Sequence, residues 1–344
     1  MESFLNFELN ISAAIQSLGA YLKPFMVWLS FLGTAQFYLA IVSLVYWCID
    51  AALGLRIGIL MMLTSGLNGV LKLAFHTSRP YWVDSSIKAY NAESSFGMPS
   101  GHSQNSASLW GLVAVKIQRK WVVVAVSLTI FLIGFSRLYL GVHFIHDVLI
   151  GWLVGGLLLY AFLKLESPVS AWFIRLNLAR KLVVTLTLAL MIVLIGLLVR
   201  IAMVDYQVPE QWLANAIAAV PGASIDPLNM AGFFTLGGLS LGFISGVAFL
   251  LHGPGLVDTR GSLITRFIRY ILGMLGVVGL YLGPDIFFPG SSGVLGFCLR
   301  ITRYMLIGLW VSAGAPWMFL KLKLANKKNN SFQPDPDASV AHRS

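Results

Sequence analysis

Residues 182–204 read LVVTLTLALMIVLIGLLVRIAMV, a run whose only charge is Arg200. A helix needs about 20 predominantly apolar residues to cross the hydrocarbon of a bilayer, so this stretch alone removes the chain from the soluble class. Toward the N-terminus, comparable stretches cover Met26–Ile49, Ala51–Phe75, Ser100–Ile117, Trp121–Leu140 and His143–Leu165; toward the C-terminus they cover Met230–Leu251, Ile264–Phe287 and Val294–Leu320. Short polar or Gly/Pro-rich joints separate them. The pattern predicts an all-α polytopic transmembrane helix bundle of about nine spans.

Composition agrees. The chain has 344 residues, 57% hydrophobic and 11% charged, with mean hydropathy +0.79; soluble domains carry roughly 25% charged residues. Met1–Asn10 holds two acids and no basic residue, unlike a cleavable signal, so the first span is expected to stay in the protein. Cys48 and Cys298 both fall inside predicted spans and are read as buried apolar residues.

The net charge of +10 does not call for nucleic acid, because cytoplasmic joints of membrane proteins collect Lys and Arg. With the N-terminus outside, the inner joints hold Arg56; Lys116, Arg119 and Lys120; Lys164, Arg175, Arg180 and Lys181; Arg260 and Arg266; and a tail with Lys321, Lys323, Lys327 and Lys328. The outer joints then hold Glu2, Glu8, Asp205, Glu210, Asp226 and Asp285, with Lys23 and Lys88 as basic exceptions beside the cations of the motif segments. This orientation is the expected one. The joint Glu166–Lys181 is expected to lie on the inner surface, Asp205–Asn229 to cap the outer one, and residues 325–344 to form a polar, disordered cytoplasmic tail. The division follows: 1–165 as core helices, 166–324 as further helices of the same bundle, 325–344 as tail.

Charge at membrane depth is costly and is usually paired or functional, and it clusters between Lys72 and Asp147. The first segment is Lys72-Leu-Ala-Phe-His-Thr-Ser-Arg79-Pro80. A spacing of seven is close to two helical turns, which places both cations on one face, while Pro80 favours a helix end nearby. The second is Gly97-Met-Pro99-Ser100-Gly101-His102, where Pro, a hydroxyl and Gly open a helix whose free amides suit an anion. The third is Ser136-Arg137, then His143 and Asp147 at i,i+4, where the carboxylate can hold one ring nitrogen and leave the other free. Each segment alone also admits a structural reading: snorkelling cations, a polar cap, a helix hydrogen bond. His76 is read as structural, and His146 as pointing a quarter-turn away from Asp147. Together the segments offer three cations, a helix N-terminus and two histidines, a set suited to a phosphate dianion. Neither a carboxylate cluster nor a Cys/His set has metal-ligand spacing, so no metal and no cofactor is expected.

In order and spacing these residues resemble the type 2 phosphatidic acid phosphatase superfamily, whose active site is similar to that of vanadium haloperoxidases. Lys72, Arg79, Pro80, Pro99, Ser100, Gly101, His102, Ser136, Arg137, His143 and Asp147 all match its pattern. The resemblance implies that His143 takes the phosphoryl group as a phosphohistidine, that Asp147 orients it, and that His102 protonates the leaving group. It implies that Lys72, Arg79, Ser100, Gly101 and Arg137 hold the phosphate, within a six-helix core. The layout of the whole chain is similar to glucose-6-phosphatase and, loosely, to sphingosine-phosphate phosphatases. The leading expectation is a metal-independent hydrolase of a lipid phosphate or polyprenyl diphosphate at the non-cytoplasmic face. A sugar-phosphate phosphatase, a lipid phosphotransferase and a catalytically inactive transporter or scaffold are the alternatives. The expected partners are the phosphorylated lipid or small phosphate substrate and membrane lipids, with no nucleic acid; the sequence leaves the oligomeric state open.

Overall fold

A computed structural model describes residues 2–222, 225–253, 255–287 and 293–327. Among them the secondary structure is helical, apart from an isolated antiparallel bridge between Val257 and Lys327. The chain is a multi-pass integral membrane protein. The N-terminal helix α1 (Glu2–Gln16) precedes α2 (Lys23–Phe31) and α3 (Ala35–Cys48), and α4 (Ala51–Phe75) follows. A single turn, α5 (Pro80–Val83), leads through a loop to α6 (Gly101–Ile117), α7 (Lys120–Tyr139), α8 (Ile145–Arg175) and α9 (Leu178–Ala202). The short α10 (Glu210–Ala219) lies before α11 (Ala231–His252), α12 (Leu263–Phe287), α13 (Gly293–Leu309) and α14 (Ala315–Lys321).

Seven of these segments are long and apolar enough to cross a membrane by themselves, and an eighth passage is the pair α2–α3, bent by 49°. The ninth expected span, α6, has 17 residues and a lower apolar content, because Ser103, Gln104, Ser106 and Ser108 face inward along it. About nine passages is therefore a count of helices; the membrane-length test is met by fewer.

Two joints differ from expectation. Helix α8 continues to Arg175 with Pro168 inside it, and α9 begins at Leu178, so the joint expected at 166–181 is mostly helix, with Leu165, Val169 and Trp172 exposed around the proline. The tail begins packed as well: Ala325 is buried and Lys327 pairs with Val257. Residues 328–344, including Lys328, and the side chain of Asp285 lie outside the described residues. Cys48 is buried as expected, but Cys298 is exposed on α13.

Small residues set the closest helix approaches. In α8, a Cβ on Gly151 would lie 2.7 Å from the Ser100 carbonyl oxygen, and one on Gly155 would lie 2.4 Å from that of Gln104. Only glycine at this i,i+4 pair lets α8 press against the start of α6, which brings the second and third sequence segments together. Gly238, Gly242 and Gly246 do the same for α11 against the α13 side, where a Cβ on Gly242 would lie 1.9 Å from Met305 O.

Candidate active site

Helix α4 ends at Phe75, with His76 closing it in the left-handed region (φ 39°). The expected common face for Lys72 and Arg79 is therefore not formed, since the chain has left the helix before Arg79. The two cations converge all the same, because both hold one loop. Lys72 Nζ donates to the carbonyls of Phe96 and, at 3.0 Å, Gly97. Arg79 donates from Nε to Ser95 O at 2.6 Å and from Nη2 to Phe96 O at 3.0 Å. Pro80, read as a helix terminator, instead opens α5, where its missing N–H costs nothing.

Ser100 is the N-cap of α6, its hydroxyl accepting from Ser103 N. The first turn thus presents Gly101 and His102 at a helix N-terminus, as the sequence predicts. Asn68 of α4 fixes this turn by donating to Pro99 O at 3.1 Å and to Gln104 Oε1 at 2.9 Å. His102 is half-buried beside the α2–α3 bend. A Cβ on Gly33 would lie 2.8 Å from His102 Cδ2, so the bend needs glycine there to admit the imidazole.

His143 lies in the turn between α7 and α8 and is buried, with 1% of its surface exposed. Its Nδ1 is 3.1 Å from Asp147 Oδ2, and its Nε2 is 3.3 Å from Arg79 Nη1. A carboxylate can only accept and a guanidinium can only donate. These partners therefore fix the tautomer, with the proton on Nδ1 and the lone pair on Nε2. Burial first, then the Arg79 guanidinium, push the imidazole down to about 3, so the ring is neutral in the physiological range. Asp147 is held in turn by Phe144 N at 3.0 Å.

Arg137, fully buried, places Nη1 2.6 Å from Ser30 Oγ and Nη2 on Glu93. Its Nε is buried and has no hydrogen-bond partner among the described residues. Buried donors are rarely left unpaired, and this one is available to an incoming oxygen. Glu93 was not singled out by sequence. It pairs with Arg137 and has Arg79 Nη2 4.0 Å from its second oxygen. Burial alone would raise its carboxyl, but Arg137 and Arg79, followed by His102 and His143, hold it well below the usual carboxylate range. One carboxylate thus sits between the two guanidiniums, within the electrostatic reach of both histidines.

His146 corrects the sequence reading. Its Nδ1 lies 2.6 Å from Glu8 Oε2 of α1, and its backbone N donates to Glu8 Oε1 at 3.1 Å. This anchor turns Nε2 to within 3.2 Å of Asp147 Oδ1, an ion-pair distance without hydrogen-bond alignment. The backbone directions of residues 146 and 147 do differ by a quarter-turn, but the length of the imidazole and its hold on Glu8 overcome that. His76 is structural as read: Nδ1 lies 3.1 Å from Ala74 O and the ring packs 5.4 Å from Tyr206.

The segment 205–229 covers this end of the bundle. Asn215 donates to Trp82 O at 2.9 Å, Trp212 packs 5.7 Å from Trp82, and Asp226 N donates to Ser94 O at 3.1 Å.

The PAP2 superfamily profile matches residues 53–171, and that of the PAP2 superfamily phosphatase transmembrane extension matches residues 234–327. Phosphatidylglycerophosphatase B of Bacillus subtilis is 32% identical over 43% of this chain and 77% of its own. Human glucose-6-phosphatase 3 is 29% identical over 46% of this chain, and the dolichyldiphosphatase of Saccharomyces cerevisiae is 30% identical over 33%. This chain spans only about half of those two, 53% and 54%. Among solved structures, a transmembrane PAP2-type phosphatidylglycerolphosphate phosphatase from Bacillus subtilis aligns at 27% identity over 49% of this chain and 88% of that one, with a TM-score of 0.42.

Proposed function

The chain belongs to the PAP2 superfamily of membrane phosphatases, and on that premise we propose that it hydrolyses a lipid phosphate or polyprenyl diphosphate through a phosphohistidine on His143. The observation that carries this reading is the imidazole of His143, neutral, with Nδ1 against Asp147 and Nε2 turned toward the cations. The Nε2 lone pair attacks phosphorus as the bond to the leaving oxygen breaks, and His102 supplies that oxygen with a proton. Water then cleaves the P–N bond, giving its proton to His102 and releasing inorganic phosphate. Lys72, Arg79 and Arg137, with the hydroxyl of Ser100 and the amide of Gly101 at the α6 terminus, hold the equatorial oxygens; the unpartnered Nε of Arg137 provides one of these donors. Asp147 orients His143 and stabilises the charge that develops on it.

Similarity to glucose-6-phosphatase 3 favours a sugar phosphate as the second reading of the substrate. The first half-reaction is the same, and it also serves transfer to a lipid or saccharide hydroxyl if water is excluded from the second half. The distribution of basic joints supports a site at the non-cytoplasmic face and a cytoplasmic C-terminus.

The test is His143→Ala in the purified protein. Release of phosphate from phosphatidic acid, undecaprenyl diphosphate, a sphingoid phosphate and glucose 6-phosphate should fall by at least about 1000-fold, with loss of acid-quenched phosphoenzyme and unchanged expression. Turnover that survives the substitution removes the mechanism.

A further inference from the structure

Beside the cation cluster, a cavity of about 340 Å³ opens between α4 and α11. One end is lined by Lys72, Ser95, Asn229 and the carboxylate of Asp226, and the other by Ser65, Gly66, Phe233 and Leu236. Polarity therefore changes along its length. Lys72 and the cavity's deepest α4 residue, Ser65, are seven positions apart, about 10 Å along the helix axis. The polar end shares a wall with the proposed phosphate site: Lys72 holds the carbonyls of Phe96 and Gly97, and Ser95 O and Oγ accept from Arg79. The apolar end is walled by α11, outside the part of the chain that matches the superfamily core.

We infer that this cavity binds the hydrocarbon chain of the substrate next to its phosphate, and that α11 of the extension supplies the wall that recognises it. The inference rests on the lipid reading above and narrows it to esters with a chain. A free sugar phosphate would set most of its hydroxyls against Gly66, Phe233 and Leu236, with Ser65 as the one side-chain hydrogen-bond partner at that end, whereas a chain asks for no polar partner there. At about 30 Å³ for a water-sized group, the volume accommodates roughly ten methylene-sized groups, part of one acyl or prenyl chain. Lys72 and Ser95 at the mouth then hold the headgroup at the level of the cation cluster. A function for the extension follows: it closes the α4 side of the site and selects for the chain.

Gly232 gives the test. It lines the cavity, and a Cβ there meets nothing within 4 Å, so Gly232→Phe fills the space without displacing backbone. Gly279 on α12 is equally open and remote from the cavity, which makes Gly279→Phe the control. The full-length protein in mixed micelles is assayed on dioleoyl phosphatidic acid and on p-nitrophenyl phosphate. Gly232→Phe is expected to lower the ratio of the two kcat/KM values at least ten-fold, and Gly279→Phe to leave it in place. An unchanged ratio in Gly232→Phe overturns the chain site and leaves the lipid reading standing. Native protein that hydrolyses p-nitrophenyl phosphate and glucose 6-phosphate but not phosphatidic acid overturns the lipid reading and this inference with it. Should Gly232→Phe not fold, native protein is photolabelled with phosphatidic acid carrying a mid-chain diazirine. Adducts within 65–73 and 232–236 are expected, and adducts confined to other helices overturn the assignment.

Discussion

An imidazole attacks only through the nitrogen that carries no proton, and the two partners of His143 determine which nitrogen that is. Asp147 accepts a hydrogen bond from Nδ1–H, which keeps the proton there, and Arg79 faces Nε2. His102 has the opposite task, to carry a proton to the departing oxygen, and it stands at the α6 terminus with its ring against Gly33. His102→Ala should therefore slow hydrolysis of an alkyl phosphate by roughly 100- to 10,000-fold but affect p-nitrophenyl phosphate much less, because that leaving group departs without a proton. Equal losses on both substrates would argue against His102 as the acid. The residues assigned to chemistry were legible because each sits in a short string at fixed spacing. Glu93 was not, since it lies in a loop without periodicity; its one signal is that no other charged residue stands between Lys88 and Lys116. Arg79 shows the converse. Its convergence with Lys72 was expected from helical spacing, and it is reached instead through the carbonyls of residues 95 and 96.

At the scale of elements, α1 is the part whose role the sequence hid. In sequence Met1–Asn10 stands out only for its two acids and lack of basic residues, yet Glu8 is 3% exposed and holds His146 against Asp147. Glu8, His146, Asp147 and His143 form a chain of alternating carboxylate and imidazole, so α1 steadies the dyad from outside the three sequence segments. Groups that orient a ligand-bearing or catalytic histidine typically cost 10- to 100-fold when removed. Glu8→Gln should lower kcat about ten-fold with KM nearly unchanged, and Glu8→Asp should recover part of the loss. A merely structural anchor would show instead as a lower melting temperature at full kcat. Helix positions themselves were well read, because runs of apolar residues near membrane length leave few alternatives. Their ends were read unevenly: α4 stops at Phe75 as its apolar run indicates, which leaves Arg79 off its face, whereas α8 runs on through Pro168 to Arg175.

Across the whole molecule, ion pairs and capping contacts distinguish the two ends of the bundle. Arg56 meets Glu166 through two hydrogen bonds of 2.7 and 2.6 Å at the end opposite the histidines. At that same end Arg269, 1% exposed, closes the bundle by donating to the carbonyls of Trp47, Thr259 and Leu324. Lys116, Arg119 and Lys120 border the α6–α7 turn there, while the α4–α6, α7–α8 and α9–α11 connections gather at the histidine end. Positive joints stay on the cytoplasmic side during insertion, so the histidine end should face away from the cytoplasm. Ser86 in the loop before the second sequence segment and Arg119 at the opposite turn are both exposed and suit a labelling experiment. In a Cys298→Ser background, where Cys48 remains buried, a membrane-impermeant maleimide applied to intact cells should label Ser86→Cys directly. It should reach Arg119→Cys only after the membrane is permeabilised. The opposite pattern would put the phosphate site in the cytoplasm, where headgroups of the inner leaflet and soluble sugar phosphates would be its substrates, and the positive joints would then need another explanation.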